Sequence, residues 1–297
     1  MRKPFAFLLL LSFLLGACAA PATEESAAPD SAASAEEPIY LAIIWHQHQP
    51  VYYKDPETGL YIRPWVRVHA TKDYVDMAAI LEDYPEIHAT FNLTPSLIRQ
   101  LDDFEAGAKD LYWAYSEIDA ADLSEEQKQF ILERFFDTNR EIIGRFPRYQ
   151  ELLTLRDSSA DALAAYSEQD FRDLQVLFNL AWTDPDWLAE EPLASLVAQC
   201  ENFTEADKAI LFAEHLRLIG EVIPLHRRLQ EAGQIEVTMT PFAHPILPLL
   251  VSNELAREAL PDLELPGVLF VYGQDAVAQV ELGVGYYQGH FGGARGG

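Results

Sequence analysis

Three short runs of β-branched and aromatic residues, separated by helical periodicity, set the architecture of this chain. They are Tyr40-Leu41-Ala42-Ile43-Ile44-Trp45, His88-Ala89-Thr90-Phe91-Asn92-Leu93 and Ile235-Glu236-Val237-Thr238-Met239-Thr240. Strands that alternate with helices predict an α/β fold with a parallel sheet. The stretch between the second and third runs is mostly helical in pattern, so an inserted helical subdomain is expected there. Helical patterns are also expected over Lys72 to Glu82, from Pro95 onward, and over Asp275 to His290. Ser124 with Gln127, and Thr204 with Asp207, have the three-residue spacing of capping boxes. Gly233 is placed to stop the long helix that Thr204 starts, and Pro224 within that helix is expected to kink or split it.

The N-terminal residues form a different kind of segment. Arg2 and Lys3 precede the apolar stretch Phe5 to Leu15, which is too short to span a bilayer and reads as an export signal. It ends in Leu15-Gly16-Ala17-Cys18, which resembles a bacterial lipobox, the alternative being an ordinary cleaved signal with an incidental cysteine. Residues 1–18 are therefore expected to be a lipoprotein signal peptide with Cys18 as the lipidated residue. Residues 19–38 are rich in Ala, Ser, Glu and Pro without a large apolar side chain, as in a disordered tether. The globular part begins at Ile39, and the expected location is extracytoplasmic, on a membrane through the lipid anchor. Cys200, the one other cysteine, is expected to be a small buried hydrophobe without a disulfide partner. The net charge of -26, from 47 acidic and 21 basic residues, makes nucleic acid a poor partner and suits a neutral polymer.

The chemistry-bearing residues cluster where strands end. His46 and His48 in Trp45-His46-Gln47-His48-Gln49-Pro50 are two apart and so share a face, beside Gln49. Carboxyl ends of parallel strands are where such folds place their sites. Pro64 to Tyr74 adds Trp65, suited to stacking on a sugar face, with Arg67 and His69 either as polar contacts or as part of a packed loop. Asn92 and Thr94 either face the site or cap the following helix. After the third run, Pro241, Pro245 and Pro248 fix an irregular loop that holds His244 where it can meet His46 and His48. Glu236 alternates with Thr238 and Thr240 on one strand face.

Taken in order, Trp45–Pro50, Pro64–Tyr74, Phe91–Leu97 and Gly233–Leu249 resemble the N-terminal catalytic domain of glycoside hydrolase family 57, nearest its α-amylase and amylopullulanase-like members. The likeness runs over residues 39–297. It implies an incomplete (β/α)7 barrel with an inserted, mainly helical subdomain, and retaining hydrolysis or transfer on α-glucans in carbohydrate metabolism. It implies no cofactor and no metal. His48 and Gln49 fall on the family's first signature with His46 upstream, and His244 falls on a second position lining the sugar pocket. Trp65 and Glu236 join them as candidate substrate-binding residues.

Retaining glycosidases need two carboxyl groups about 5 Å apart. The resemblance implies a nucleophile glutamate after a Gly-Met-Trp-Pro-like string and an acid/base aspartate further on, and neither has a counterpart here. Glu236 belongs to another signature and Asp275 to a helix start, so neither replaces them. The expectation is a chain truncated before the nucleophile and inactive by itself. Two other readings stand beside it. One is a metal-dependent, polysaccharide deacetylase-like hydrolase with zinc on His46, His48 and His244. The other is a non-catalytic surface lipoprotein that captures α-glucan.

Overall fold

The computed structural model describes residues 39–292. The expectations for Cys18, for the signal peptide and for the tether lie outside the described residues. Strands β1 (Ile44–Gln47), β2 (Ala89–Leu93) and β3 (Ile235–Thr238) form one parallel sheet in the order β1-β2-β3. The register sets Ile44, Thr90 and Glu236 in one row, Trp45, Phe91 and Val237 in the next, and His46, Asn92 and Thr238 in a third. Alternation then places His46, Asn92 and Thr238 on the same face as Glu236, and Phe91 and Val237 on the other, buried one. The first strand starts later than its apolar run suggests. It begins at Ile44, where β2 first offers a parallel partner in Thr90, and Tyr40 and Leu41 are exposed.

Between β2 and β3 the chain is helical and encloses an apolar core of its own, which includes Tyr112, Phe135, Tyr149, Phe171, Phe178 and Leu211. A second core lies at the sheet around Phe91, Leu93, Leu97, Phe104, Ile219 and Val222. The capping boxes at Ser124 and Thr204 form, and a third forms at Ser167 with Asp170. The Glu205–Glu231 helix continues through Pro224 rather than splitting there. One lost backbone hydrogen bond is outweighed by the apolar surface that Leu218, Val222, Ile223, Leu225 and Leu229 bury along its length. It stops at Ala232, and Gly233 takes the left-handed φ of 77° that a helix terminus of this kind requires.

Two local expectations are corrected. The helix expected from Lys72 starts at Trp65, as Trp65–His69, and passes through a π-helical turn at Ala70–Tyr74 before Asp76–Ala79. No Ser, Thr or Asp caps its start. Burial of Val66, Arg67 and Val68 fixes the helix there instead. Cys200 is half-buried rather than enclosed, because it ends the Leu193–Gln199 helix with a φ of 69° that turns it toward the surface.

Arg67 is fully buried, and its polar partners come from several elements. Its Nε donates to Asp110 Oδ2 (2.5 Å) and its Nη2 to Asp110 Oδ1 (3.3 Å), and Nη1 donates to Asn179 Oδ1 (2.8 Å). Nη1 also lies 3.4 Å from His215 Nδ1, and the His215 Nε2 lies 3.0 Å from Thr183 Oγ1. Asp110 is not exposed either, and its Oδ1 accepts the Trp113 backbone N–H that starts the Leu111–Glu117 helix. Removing the guanidinium would leave Asp110 charged and unpaired in the interior. Arg67→Ala is therefore expected to cost about 3–5 kcal/mol, read as a shifted urea midpoint. A cost within about 1 kcal/mol, the ordinary worth of a surface pair, would show that the pair is not buried.

Two interior histidines give the fold an acid limit. Burial pushes His215 well below its usual range, helped by Arg67, and pushes His226 down to about 4. Both folded values lie below the unfolded value, so the unfolded chain takes up protons that the folded one refuses. Their contribution is complete above about pH 6.5 and declines as pH falls toward 4. Denaturant titrations over that interval should show the decline, and His226→Phe should make it shallower. A slope unchanged by that substitution would contradict the assignment.

Candidate functional site

At the carboxyl end of the sheet three imidazoles meet. The His46 and His48 rings are stacked at 5.6 Å with 10° between their planes. His244 approaches each at 4.9 Å, tilted by 57° from His46 and 51° from His48. Each arrives by a different route: His46 within β1, His48 just beyond it, and His244 from the loop after β3. A hydrogen-bond relay crosses the three strands beneath them. Asn92 donates from Nδ2 to Thr238 Oγ1 (3.3 Å), and its Oδ1 accepts from His46 Nδ1–H at 2.7 Å. That bond fixes the His46 tautomer and turns Nε2 away from the relay. Asn92 therefore serves the site. Thr94 occupies the N-cap position of the Pro95–Glu105 helix, but its side chain makes no cap bond and its hydroxyl accepts from Ser96 Oγ.

The loop bearing His244 is clamped. Phe242 N–H donates to the Gln279 carbonyl (2.9 Å) and Ala243 N–H to Gln279 Oε1 (2.7 Å). Gln279 lies on the Gly273–Phe291 helix, which approaches so closely at Gly283 that a Cβ there would sit 2.8 Å from the Thr240 carbonyl oxygen. His244 itself has a φ of 52°, a left-handed conformation unusual for a side chain of its size. The backbone strain sits under an imidazole of the triangle, as strain often does at functional sites.

Burial first, then the neighbouring His244 and His46, lower the pKa of His48. A neutral imidazole can both accept from and donate to a hydroxyl, which suits a sugar ligand. Zinc is a poorer match. Zinc needs nitrogens converging at about 2.0–2.1 Å from one point, whereas the His46 Nδ1 is engaged by Asn92 and the first two rings lie parallel. Among the described residues, the group whose ligand atoms do converge within 4.8 Å is Asp76, Asp184 and Asp186.

The other expected residues lie around the triangle. Gln49 is only 7% exposed; its Nε2 donates to Tyr74 Oη (2.9 Å) and its Oε1 accepts from Tyr52 Oη (2.8 Å). It fixes the loop that carries His48. Glu236 is exposed on the imidazole-bearing face, but two strand residues (about 7 Å) toward the other end of β3. Trp65 is half-buried, with its ring 5.8 Å from Trp182. Arg67 is wholly withdrawn into the interior, and His69 pairs with Asp73. The sequence reading missed Trp182, which ends a buried helix and carries no local signal, and the relay role of Thr238.

A parallel α/β sheet with an imidazole cluster at the carboxyl ends of its strands is the construction of a ligand site on a strand-end face. The chain belongs to glycosyl hydrolase family 57, whose family model matches residues 42–296. The chain is also similar to three solved structures. An alpha-amylase from Thermotoga maritima is 15% identical with a TM-score of 0.37, over 84% of this chain and 33% of that one. A family 57 branching enzyme from Thermococcus kodakaraensis, solved with glucose and additives, is 19% identical with a TM-score of 0.35, over 85% and 31%. A branching enzyme of the same type from Pyrococcus horikoshii is 16% identical with a TM-score of 0.36, over 85% and 32%. The chain thus spans about a third of the length of these structures. No curated protein sequence matches it significantly. Family membership rests on the family model.

The strain at His244 can be isolated. His244→Gly and His244→Ala both remove the imidazole, but only glycine adopts the left-handed backbone freely. The Gly variant should be the more stable of the two by about 1 kcal/mol in thermal or urea unfolding. An Ala variant of equal or greater stability would mean that the backbone does not hold this conformation.

Proposed function

We propose that this chain supplies the histidine-lined, sugar-binding part of a glycoside hydrolase site that acts on α-glucans, and that by itself it binds glucan without cleaving it. The observation that carries the reading is the triangle of His46, His48 and His244, tied to Asn92 and Thr238 across three parallel strands. In this reading β1, β2 and β3 are neighbouring strands of the family's (β/α)7 barrel, and the face bearing Glu236 and Thr238 is its lumen. His48, His46 and His244 contact the hydroxyls of a sugar ring, and Gln49 positions them.

Bond cleavage with retention needs a nucleophile carboxylate and an acid/base carboxyl about 5 Å apart. Among the described residues no carboxylate hydrogen-bonds to any of the three imidazoles. What these residues supply is binding and orientation, and the residual rate from binding alone is small. The lipobox reading of Cys18 belongs to the same proposal, as a tether holding the site at a membrane surface.

The purified chain should bind maltooligosaccharides in calorimetry, and His48→Ala should weaken that binding about tenfold or more, as loss of a hydrogen-bonding group in a polar site does. Incubation with amylose or pullulan should release no reducing ends above background. Turnover that His48→Ala abolishes would overturn the claim that cleavage is absent, and failure of the intact chain to bind any maltooligosaccharide would overturn the function.

A further inference from the structure

We infer that Trp65, Trp182, His69 and Asp73 form a second α-glucan subsite adjoining the histidine triangle, an inference that rests on the glucan-binding reading above. The two indoles come from distant elements, the start of the Trp65–His69 helix and the end of the Glu168–Ala181 helix. Their rings lie 5.8 Å apart at 60°, and the His69 ring meets Trp182 edge-on at 5.5 Å. All three are half-buried, so each is held by packing and still reached by solvent. Aromatic clustering alone is ordinary core behaviour; the polar dyad within it is not.

His69 Nδ1 and Asp73 Oδ2 are 2.5 Å apart, with side chains 33% and 36% exposed. An exposed pair of this kind adds little to stability. What it does is orient the imidazole: Asp73 Oδ2 accepts the Nδ1–H, and Nε2 has no protein partner among the described residues. The π-helical turn Ala70–Tyr74 brings both Asp73 and Tyr74 to the His69 ring, Tyr74 at 6.0 Å. Such turns are less stable than regular helix and occur often at functional sites.

The platform is rigid before any ligand arrives. The Trp182 indole N–H donates to the Asp137 carbonyl (3.1 Å), and Thr71 Oγ1 donates to the Trp182 carbonyl (2.9 Å). A buried hydrogen bond links the subsite to the triangle. Tyr74, beside His69, accepts from Gln49, and Gln49 is the residue after His48.

A pyranose ring has apolar C–H faces and a rim of hydroxyls. The indoles suit the faces, while His69 Nε2 and the second Asp73 oxygen suit the rim. Burial first, then the neighbouring carboxylates including Asp73, raise the pKa values of Asp76 and Asp184, with Lys72 acting in the opposite sense. An acidic cluster next to the subsite suits a neutral sugar better than a uronic or sulfated one.

The test is calorimetry on the intact chain with maltose through maltoheptaose. Wild-type affinity should rise with chain length as the second subsite fills. Trp182→Ala should remove that gain, lowering affinity for maltoheptaose about tenfold while leaving maltose unchanged. Asp73→Asn, which keeps the shape, should remove part of it and guards against a Trp182 variant that fails to fold. If both variants bind maltoheptaose like wild type while His48→Ala does not, the second subsite is refuted and the first stands. If wild type binds no oligosaccharide of any length, the functional reading falls and this inference with it.

Discussion

The helix that presents Trp65 and His69 depends on one buried guanidinium. Arg67 has Trp65 two residues before it and His69 two after, and it reaches into a polar knot with Asp110, Asn179 and His215. These partners belong to three helices, or to the cap of one, on the side of the molecule where the two apolar cores meet. Moving those charges out of water costs more than their attraction readily returns, so such a knot adds little to net stability. It does restrict geometry, because the planar fork can satisfy Asp110 bidentately in few positions. The Trp65–His69 helix is held to one placement, and the indole and imidazole that flank Arg67 are held with it.

The lowered pKa of His48 follows from similar physics at a more exposed place. Three rings within 4.9–5.6 Å cannot all carry a proton without strong repulsion. Burial and the two neighbours depress His48, the least exposed of the three. His46 is tied to the sheet by Asn92, and the His244 loop is held by Gln279.

What could be read from sequence was local and what could not be was long-range. The strand-end histidines were legible because alternation along β1 and the proline after Gln49 are properties of a few adjacent residues. So were the capping boxes at Ser124 and Thr204, and the stop at Gly233. The fate of Arg67 was open in the sequence, since contact and burial are both compatible with Pro64–Tyr74; its partners lie 43 and 112 residues away. Trp182 gave no signal at all, because nothing in a buried helix end says that its ring will meet Trp65. Helix boundaries failed in the same direction. The chain begins its helix at Trp65 without a capping residue, and keeps it through Pro224, because burial outweighs local preference at both places.

Irregular backbone occurs on both flanks of the site, and there each irregularity has its own support. On one flank the left-handed His244 is held by Gln279 from a helix that can come close only because residue 283 has no side chain. On the other, the π-helical turn at Ala70–Tyr74 is held between the Arg67 knot and the Thr71 contacts to Trp182. Strained backbone persists only where the surroundings over-determine it, and a regular strand or helix at either position would direct the same side chains elsewhere. A regular turn in place of residues 70–74 would separate Asp73 or Tyr74 from His69. An extended His244 would leave His46 and His48 as a stacked pair without a third member. The local cost therefore falls where side chains from distant elements are brought together, and the sheet and the long helices that carry them stay regular.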